Sequence, residues 1–368
     1  MIRSLIIAAA VVFLGSCESA PEGFVINGKL DGAVPDGASV YLRKANENNK
    51  PVDVDTTTMQ AGSFSFAGVQ DSPEVYYVFI DNARGSIPVI VENAVIDIRA
   101  QKDSLFYAEV KGTDQNDVFG DFFNAAKEMA SRAQSMNQDM RQAVAEKDTS
   151  VMNSLREEYF ELQQEARDQE IEFVKGNPDA LVSALIISKL MATKAISTEE
   201  IENLYEALTP EVKQSNVGKS IITQIKKRKR TSIGAKAPDF SAPTPAGEQL
   251  ALYDVLGKVT IVDFWAAWCK PCRAENPNVV QLYDKYKDKG LSILGVSLDR
   301  RAEDWIKAIE DDGLEWHHVS NVRYFDEIAQ LYNVSAIPAT FILDGNGVIV
   351  AKDLRGPELE NKIAELMR

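Results

Sequence analysis

With 368 residues, the chain is longer than one hydrophobic core usually serves, so we expect two or three domains. Hydrophobic residues make up 45% of it and charged residues 26%, which is typical of a globular protein. The net charge of −15 argues against nucleic acid as a partner.

The first residues have the features of a targeting signal. Arg3 precedes an apolar run from Leu5 to Leu14, which is too short to span a bilayer because a spanning helix needs about 20 residues. The following Leu14-Gly15-Ser16-Cys17 resembles the bacterial lipobox, in which the cysteine is acylated after cleavage. The resemblance implies a signal peptide over residues 1–17 and a lipid anchor on Cys17. Cleavage without lipid is the alternative.

The lipobox interpretation has a consequence for the cysteines. The chain has three of them, and a lipid on Cys17 leaves Cys269 and Cys272 to pair with each other or with a partner protein. It also implies a location in the cell envelope, at the periplasmic face or the outer membrane. Disulfide chemistry outside the cytoplasm needs dedicated catalysts.

Residues 24–112 are predicted to form an antiparallel β-sandwich or barrel. Short runs of apolar and β-branched residues alternate with Gly, Pro, Asn and Asp, as in Ser63-Phe64-Ser65-Phe66 after Gly62. The pattern resembles the N-terminal β domain of many Bacteroidetes envelope lipoproteins, which has no assigned chemistry. Tyr76, Tyr77 and Phe79 are either a ligand-binding face or ordinary strand residues.

Residues 113–230 are predicted to form a central α-helical spacer. Apolar residues recur at three- and four-residue steps on two long antiparallel helices, which are separated near Lys147-Asp148-Thr149. The stripe of methionine and aromatic residues indicates a core or a seam for self-association, and so a candidate homodimer contact. Met adapts to irregular surfaces, so a binding groove is the other interpretation.

Residues 234–368 are predicted to form an α/β domain. Val259 to Trp265 is an apolar run interrupted by Asp263, which is typical of a central strand buried on both faces. A helix from Cys269, kinked at Pro277, leads to a second strand over Leu291 to Leu298, parallel to the first. Further helices and a closing hairpin around Asp344-Gly345-Asn346-Gly347 complete the domain.

The stretch Trp268-Cys269-Lys270-Pro271-Cys272 lies at the junction of the central strand and this helix. A Cys-x-x-Cys pair in that position is a redox signature. The N–H groups and dipole of the helix N-terminus favour an anion, so Cys269 is predicted to be the attacking thiolate and Cys272 the resolving cysteine. Lys270 should stabilise the thiolate modestly.

These residues, together with Ala237-Pro238-Asp239-Phe240 and Ile337-Pro338-Ala339-Thr340-Phe341, resemble the thioredoxin superfamily, in particular its extracytoplasmic membrane-tethered thiol–disulfide oxidoreductases. The resemblance implies a thioredoxin-like fold. It also implies that Asp263 and Glu275 assist proton transfer at Cys272, although Glu275 in the first helical turn could instead complement the helix dipole. Pro338 would be the cis-proline that presents a substrate-binding edge with Ile337, and Trp268, Lys270 and Pro271 would be substrate-binding residues beside the thiols.

No cofactor or metal is expected, because one Cys-x-x-Cys pair supplies two of the four ligands that a structural zinc needs. The two histidines, His317 and His318, are predicted to be loop residues.

The predicted function is a membrane-tethered thiol–disulfide oxidoreductase that reduces protein disulfides in the cell envelope, with a membrane or soluble electron donor. The reductant direction follows the extracytoplasmic relatives. One alternative is a peroxiredoxin-like peroxidase, although Val262 and Ala266 stand where that family has Pro and Thr. The other is a surface-tethered binding module whose redox domain is secondary.

Overall fold

The computed structural model describes residues 22–32, 34–46 and 50–368. The described chain divides into two compact units, one ending at Ile221 and one beginning at Ile222. Cys17 and the signal peptide lie outside the described residues. No helix in these ranges is both long and apolar enough to cross a membrane.

The first unit begins with two four-stranded sheets. Their strands are β1 (Phe24–Asp31), β2 (Ser39–Ala45), β3 (Pro51–Thr58), β4 (Ser63–Gly68), β5 (Glu74–Ile80), β6 (Ile87–Val91), β7 (Val95–Gln101) and β8 (Glu109–Lys111). The strand order is β4-β1-β7-β8 in one sheet and β3-β2-β5-β6 in the other. A 3₁₀ helix, Lys102–Tyr107, precedes β8.

The two sheets share one core. Ile26 and Ile98 from the first sheet and Val40 and Val78 from the second are buried in the same hydrophobic cluster. Alternate residues of β1 and β7 face solvent, which explains the period of two in their sequences. The predicted antiparallel sandwich is confirmed, with one exception: β1 and β7 pair in parallel.

Six helices follow in the first unit and at its boundary. They are α1 (Asp114–Glu146), α2 (Thr149–Gly176), α3 (Leu181–Ala192), α4 (Thr198–Ala207), α5 (Pro210–Gln214) and α6 (Asn216–Lys229). The Asp148 carboxylate caps α2 by accepting from the backbone N–H groups of Ser150 and Val151. The predicted stripe on α1 is half-buried at Met129 and Met136 and exposed at Ala126, while α3 is buried on most of its surface.

The second unit is an α/β domain around a five-stranded sheet. Its strands and helices are β9 (Ser241–Pro243), β10 (Gln249–Ala251), β11 (Val259–Trp265), α7 (Lys270–Tyr286), β12 (Leu291–Ser297), α8 (Ala302–Asp312), β13 (His317–Val319), α9 (Glu327–Leu331), β14 (Ala339–Asp344), β15 (Ile349–Lys352) and α10 (Gly356–Leu366). The main sheet has the order β13-β12-β11-β14-β15. β11 is parallel to β12, as predicted, and antiparallel to β14.

This sheet is buried on both faces. Ile261 and Ile293 belong to a cluster that includes residues of α7, α8 and α10, whereas Val262 and Phe264 belong to the cluster on the other face. All seven residues of β11 are buried, which explains its unbroken apolar run. Asp263 is the charged exception in this strand.

The prediction that the two histidines lie in a loop is wrong. They form part of β13, which pairs in parallel with β12. The His318 ring is buried and stacks on Trp316, 5.8 Å between centroids. Burial lowers the pKa of His318 to about 4, so this ring is neutral at physiological pH and behaves as a packing residue.

Candidate active site

The two cysteines lie at the N-terminus of α7 and form a disulfide. Their Cα atoms are 5.3 Å apart, and each residue is 3% exposed. Cys269 is the N-cap of the helix, and the backbone N–H of Cys272 donates to its Sγ at 3.2 Å. When the bond is reduced, the same N–H points at the sulfur that would carry negative charge.

The turn that delivers Cys269 is anchored to the carboxyl end of the neighbouring strand. The Ala267 N–H donates to both Asp299 carboxylate oxygens, at 3.0 and 3.2 Å, and the Ser297 hydroxyl donates to the same carboxylate at 2.8 Å. Burial raises the pKa of Asp299, and these donors oppose that rise. Sequence reasoning missed Asp299, whose only signal is its place just after a buried strand.

Arg273 connects the start of α7 to the end of α8 through an ion pair. Its guanidinium pairs with the Asp312 carboxylate through two nitrogens and also reaches the Ala267 carbonyl at 3.3 Å. The Asn276 amide donates to the same carboxylate at 2.6 Å. The cysteine turn is therefore held from two elements that are distant in sequence.

Asp263 lies near Cys272, the predicted resolving cysteine. A small cavity is lined by Asp263, Cys272, Glu275, Pro338 and Arg355, among others. Burial raises the pKa of Asp263 to about 7; the nearby Arg355 charge opposes that rise, and Glu275 adds to it. A carboxyl with this pKa exchanges a proton near neutral pH, which is what a buried acid–base group requires.

The prediction that Glu275 lies in the first turn of α7 is wrong, because that turn contains no acidic residue and Glu275 follows it. Glu275 lines the cavity with Asp263, and its carboxylate accepts from the Gly356 N–H at 2.7 Å and from the Asn278 amide at 3.1 Å. Gly356 is the first residue of α10, so Glu275 satisfies an N–H group at the start of that helix.

Arg355 is a site residue that sequence reasoning missed. Its guanidinium donates to the Pro338 carbonyl at 2.6 Å and contributes the positive charge that acts on Asp263. It follows β15 and is not part of a local motif, so only the fold brings it to the cavity.

Pro338 is the predicted substrate-binding residue that lines this cavity. The Ile337–Pro338 peptide bond is cis, and Pro338 lines the same cavity as Cys272. Lys270 and Pro271 are exposed on the first turn of α7, and Trp268 is 49% exposed. Among the described residues, no group of three or more His, Cys, Asp or Glu side chains is placed to hold a metal ion.

The central sheet with its flanking helices, the disulfide at the N-terminus of α7 and the cis-proline together define a thioredoxin-like domain. A model of the AhpC/TSA family matches residues 233–352. A model of a domain of unknown function (DUF4369) matches residues 24–119.

Relatives among known proteins match about a third of the chain. The thioredoxin-like protein YneN of Bacillus subtilis is 37% identical over 131 residues, which cover 34% of this chain and 74% of the relative. The thiol-disulfide oxidoreductase ResA of Geobacillus kaustophilus is 36% identical over 118 residues, covering 32% and 67%. The chain belongs to the thioredoxin-like thiol–disulfide oxidoreductases.

A solved structure of the thioredoxin domain of a thiol-disulfide oxidoreductase from Bacteroides vulgatus is 38% identical. The alignment covers 37% of this chain and 99% of that chain, with a TM-score of 0.35. The predicted enzyme class is confirmed by the sequence relatives.

Proposed function

We propose that this protein is a lipid-anchored reductant of protein disulfides in the cell envelope. The observation that carries the proposal is the Cys269–Cys272 disulfide at the N-terminus of α7, with the buried Asp263 in the cavity behind Cys272. Membership in the oxidoreductase class supports the chemistry, and the lipobox at Cys17 supports the anchor.

The proposed reaction starts from the reduced dithiol. The Cys269 thiolate attacks one sulfur of a substrate disulfide, forming a mixed disulfide and releasing one substrate thiolate, which takes up a proton. The Cys272 thiol then loses its proton and attacks Cys269 Sγ. This step forms the enzyme disulfide and releases the second substrate thiol. A dithiol donor, membrane-bound or soluble, returns two electrons and two protons.

Asp263 is proposed to take the proton from Cys272 in the second step. Its pKa of about 7 lets it accept that proton near neutral pH and return it when the enzyme is reduced again. Glu275 lines the same cavity and is proposed to support this transfer while capping α10.

The substrate is proposed to bind across Trp268, Lys270, Pro271, Ile337 and Pro338. Trp268 offers an exposed flat apolar surface, and the loop before β14 offers backbone groups with which an extended peptide could pair as an added strand.

The trapping experiment tests the dithiol mechanism. In Cys272→Ser the mixed disulfide on Cys269 cannot be resolved, so substrate proteins should accumulate covalently in the native host and appear on non-reducing gels. Cys269→Ser should trap nothing and should have no insulin-type disulfide reductase activity. Full turnover by either variant would refute the mechanism.

The direction of electron flow is tested by the reduction potential. A reductant should equilibrate with glutathione or thioredoxin at a potential below about −230 mV, whereas strong oxidants of this fold lie near −120 mV. A value at the oxidising end would reverse the proposed direction. The difference in reduction potential between Lys270→Gly and the wild type measures the contribution of the lysine.

The anchor and the domain plan are also proposals. We assign residues 1–17 to the signal, 24–112 to the β domain, 113–230 to the helical spacer and 234–368 to the redox domain. Cys17→Ser should move the protein from the membrane fraction to the soluble fraction of envelope extracts. Homodimerisation through the exposed Val144, Tyr159 and Phe160 of the helical region would be seen as a doubled mass in sedimentation.

Peroxidase activity is the weaker alternative. Val262 and Ala266 are fully buried and carry no polar atom that could hold a peroxide. A stopped-flow assay with hydrogen peroxide should therefore show no rapid oxidation of the dithiol.

A further inference from the structure

An exposed surface beside the disulfide extends from Trp268, which is part of the proposed substrate surface, to residues that have no proposed role. Trp268 and Tyr324 are 49% and 48% exposed, and their rings lie 5.5 Å apart between centroids. The Arg300 guanidinium lies over the Tyr324 ring, 4.7 Å from its centroid. We call Trp268, Arg300 and Tyr324 the aromatic–arginine shelf. It borders a cleft that also contains Asp299, Arg301 and Asp304.

The acidic groups of this cleft already accept hydrogen bonds from other residues. Asp299 is 2% exposed and accepts from the Ala267 N–H and the Ser297 hydroxyl. Asp304 pairs with Arg301 through both carboxylate oxygens. Among the described residues, no carboxylate forms an ion pair with Arg300. Arg300 therefore supplies the positive charge of the shelf, in a cleft whose two arginines are equalled in number by Asp299 and Asp304.

The loop that carries Tyr324 forms hydrogen bonds with neighbouring elements. The Ser320 hydroxyl donates to the Ser297 carbonyl at 2.9 Å, and the Asn321 amide donates to Asp326 at 2.7 Å. Val322 and Phe325 on either side have φ values of +53° and +44°. Such φ values are unfavourable for β-branched and bulky residues and are retained where the surroundings determine them. The two hydrogen bonds connect the loop that carries Tyr324 to the end of β12 and to the start of α9.

We propose that the aromatic–arginine shelf binds an acidic side chain that flanks the reacting cysteine of the substrate. Cys269 directly follows Trp268, and the shelf runs from Trp268 through Tyr324 to Arg300. An extended chain advances roughly 3.3 Å per residue, so a carboxylate two or three residues from the substrate cysteine can reach the guanidinium. The two rings would pack against the intervening residues.

This inference rests on the proposed dithiol chemistry and names the substrate class that it prefers. The test uses three symmetric disulfide-linked peptides that differ only in the residue two positions from cysteine: Asp, Asn or Lys. The detergent-solubilised, fully reduced full chain is mixed with each peptide, and the second-order rate constant of reduction is followed by chromatography. The readout is the ratio of the Asp to the Asn rate constant within each variant.

The wild type should reduce the Asp peptide about threefold faster than the Asn peptide at low salt, as expected for an exposed charge pair. The ratio should fall to about one in 0.5 M salt, since screening removes such interactions. In Arg300→Gln it should be about one at low salt. Lys307→Gln, which removes the same charge from the outer part of α8, should keep the wild-type ratio.

A wild-type ratio of one at low salt, a preference for the Lys peptide, or an unchanged ratio in Arg300→Gln would each overturn the inference while the dithiol mechanism stands. If the wild type reduces none of the peptides, the proposed function itself fails. The two failures are therefore distinguishable.

Discussion

Asp263 is a residue whose buried surroundings change the chemistry of its carboxyl group. It lies on the central strand between Val262 and Phe264, which are fully buried, and its pKa is raised to about 7 because burial penalises the carboxylate. The folded protein therefore binds a proton at this site over a pH range in which the unfolded chain has released it.

The first prediction is a pH-dependent stabilisation by Asp263→Asn. The stability that the Asp263 proton contributes is complete below about pH 4 and is lost as the pH rises through about 7. Between pH 4 and pH 8, the free energy of unfolding of the oxidised Asn variant should therefore gain on that of the wild type. The gain should be at most roughly 4 kcal/mol, measured by urea denaturation.

The control is Asp288→Asn, which alters an exposed carboxylate of the same unit. It should follow the wild-type curve across this range. A difference between Asp263→Asn and wild type that stays constant with pH would show that Asp263 does not titrate as proposed.

The second prediction concerns Arg355. Its positive charge opposes the rise of the Asp263 pKa, so Arg355→Met should move the pKa of Asp263 to a higher value. Carbon-13 NMR of the labelled carboxyl in the oxidised protein measures this directly. Arg355→Lys keeps the charge and should shift the pKa less. A pKa that falls or stays unchanged in the Met variant would contradict the assignment of Arg355 to this cavity.

The local motif allowed several site residues to be predicted, and distance along the chain limited the rest. Cys269, Cys272 and Glu275 lie close together in the sequence at the start of α7, and Asp263 is conspicuous as a charge within a buried strand. Arg355, Asp299 and Tyr324 come from three other connections. Each follows or precedes an ordinary element, and only the packing of those elements brings them near the disulfide.

At the level of elements, β12 depends on a residue without a side chain. A Cβ atom on Gly295 would lie 2.5 Å from His318 Nδ1 and 3.1 Å from Trp265 Nε1. Both are parts of buried rings in neighbouring strands, so neither has room to move aside.

The third prediction is that Gly295→Ala lowers the free energy of unfolding by about 1–3 kcal/mol, the usual cost of overpacking a core. Thermal or urea denaturation of the oxidised protein measures it. Gly345→Ala is the matched control, because the atoms nearest to its new Cβ would be 3.6 Å away. If both variants unfold alike, the rings beside Gly295 are not a rigid constraint.

Elements with a strong local period were predictable, whereas pairings between distant strands were not. β11 coincides with the predicted central strand, because burial on both faces leaves an apolar run in the sequence. β13 has three residues, two of them histidines, and is a strand only because β12 pairs with it. The parallel pairing of β1 with β7 likewise has no local signature.

At the level of the whole molecule, each unit has its own hydrophobic interior. The sandwich encloses one cluster, and the two faces of the β11 sheet enclose two others. The first residues of the second unit are hydrogen-bonded to its β14–β15 hairpin. The Gly234 N–H donates to the Ile349 carbonyl, and the Ala237 N–H donates to the Gly347 carbonyl.

The fourth prediction is that residues 231–368 fold alone and retain disulfide reductase activity, as a domain with its own core should. The rate constant with insulin should be within about twofold of the full chain, because the groups around the disulfide are all inside the fragment. A fragment with Cys269→Ser serves as the inactive control. A fragment without a cooperative unfolding transition would show that the first unit is needed for the second to fold.

The position of β1 has a consequence for the order of folding. β1 lies inside its sheet, with β4 on one side and β7 on the other, and its Asn27 donates to Asp97, seventy residues later in the chain. β1, the first strand of the described residues, therefore has no complete set of partners until β7 has been made. Closing so long a loop is slow, so this unit should assemble late and in one cooperative step rather than strand by strand during synthesis.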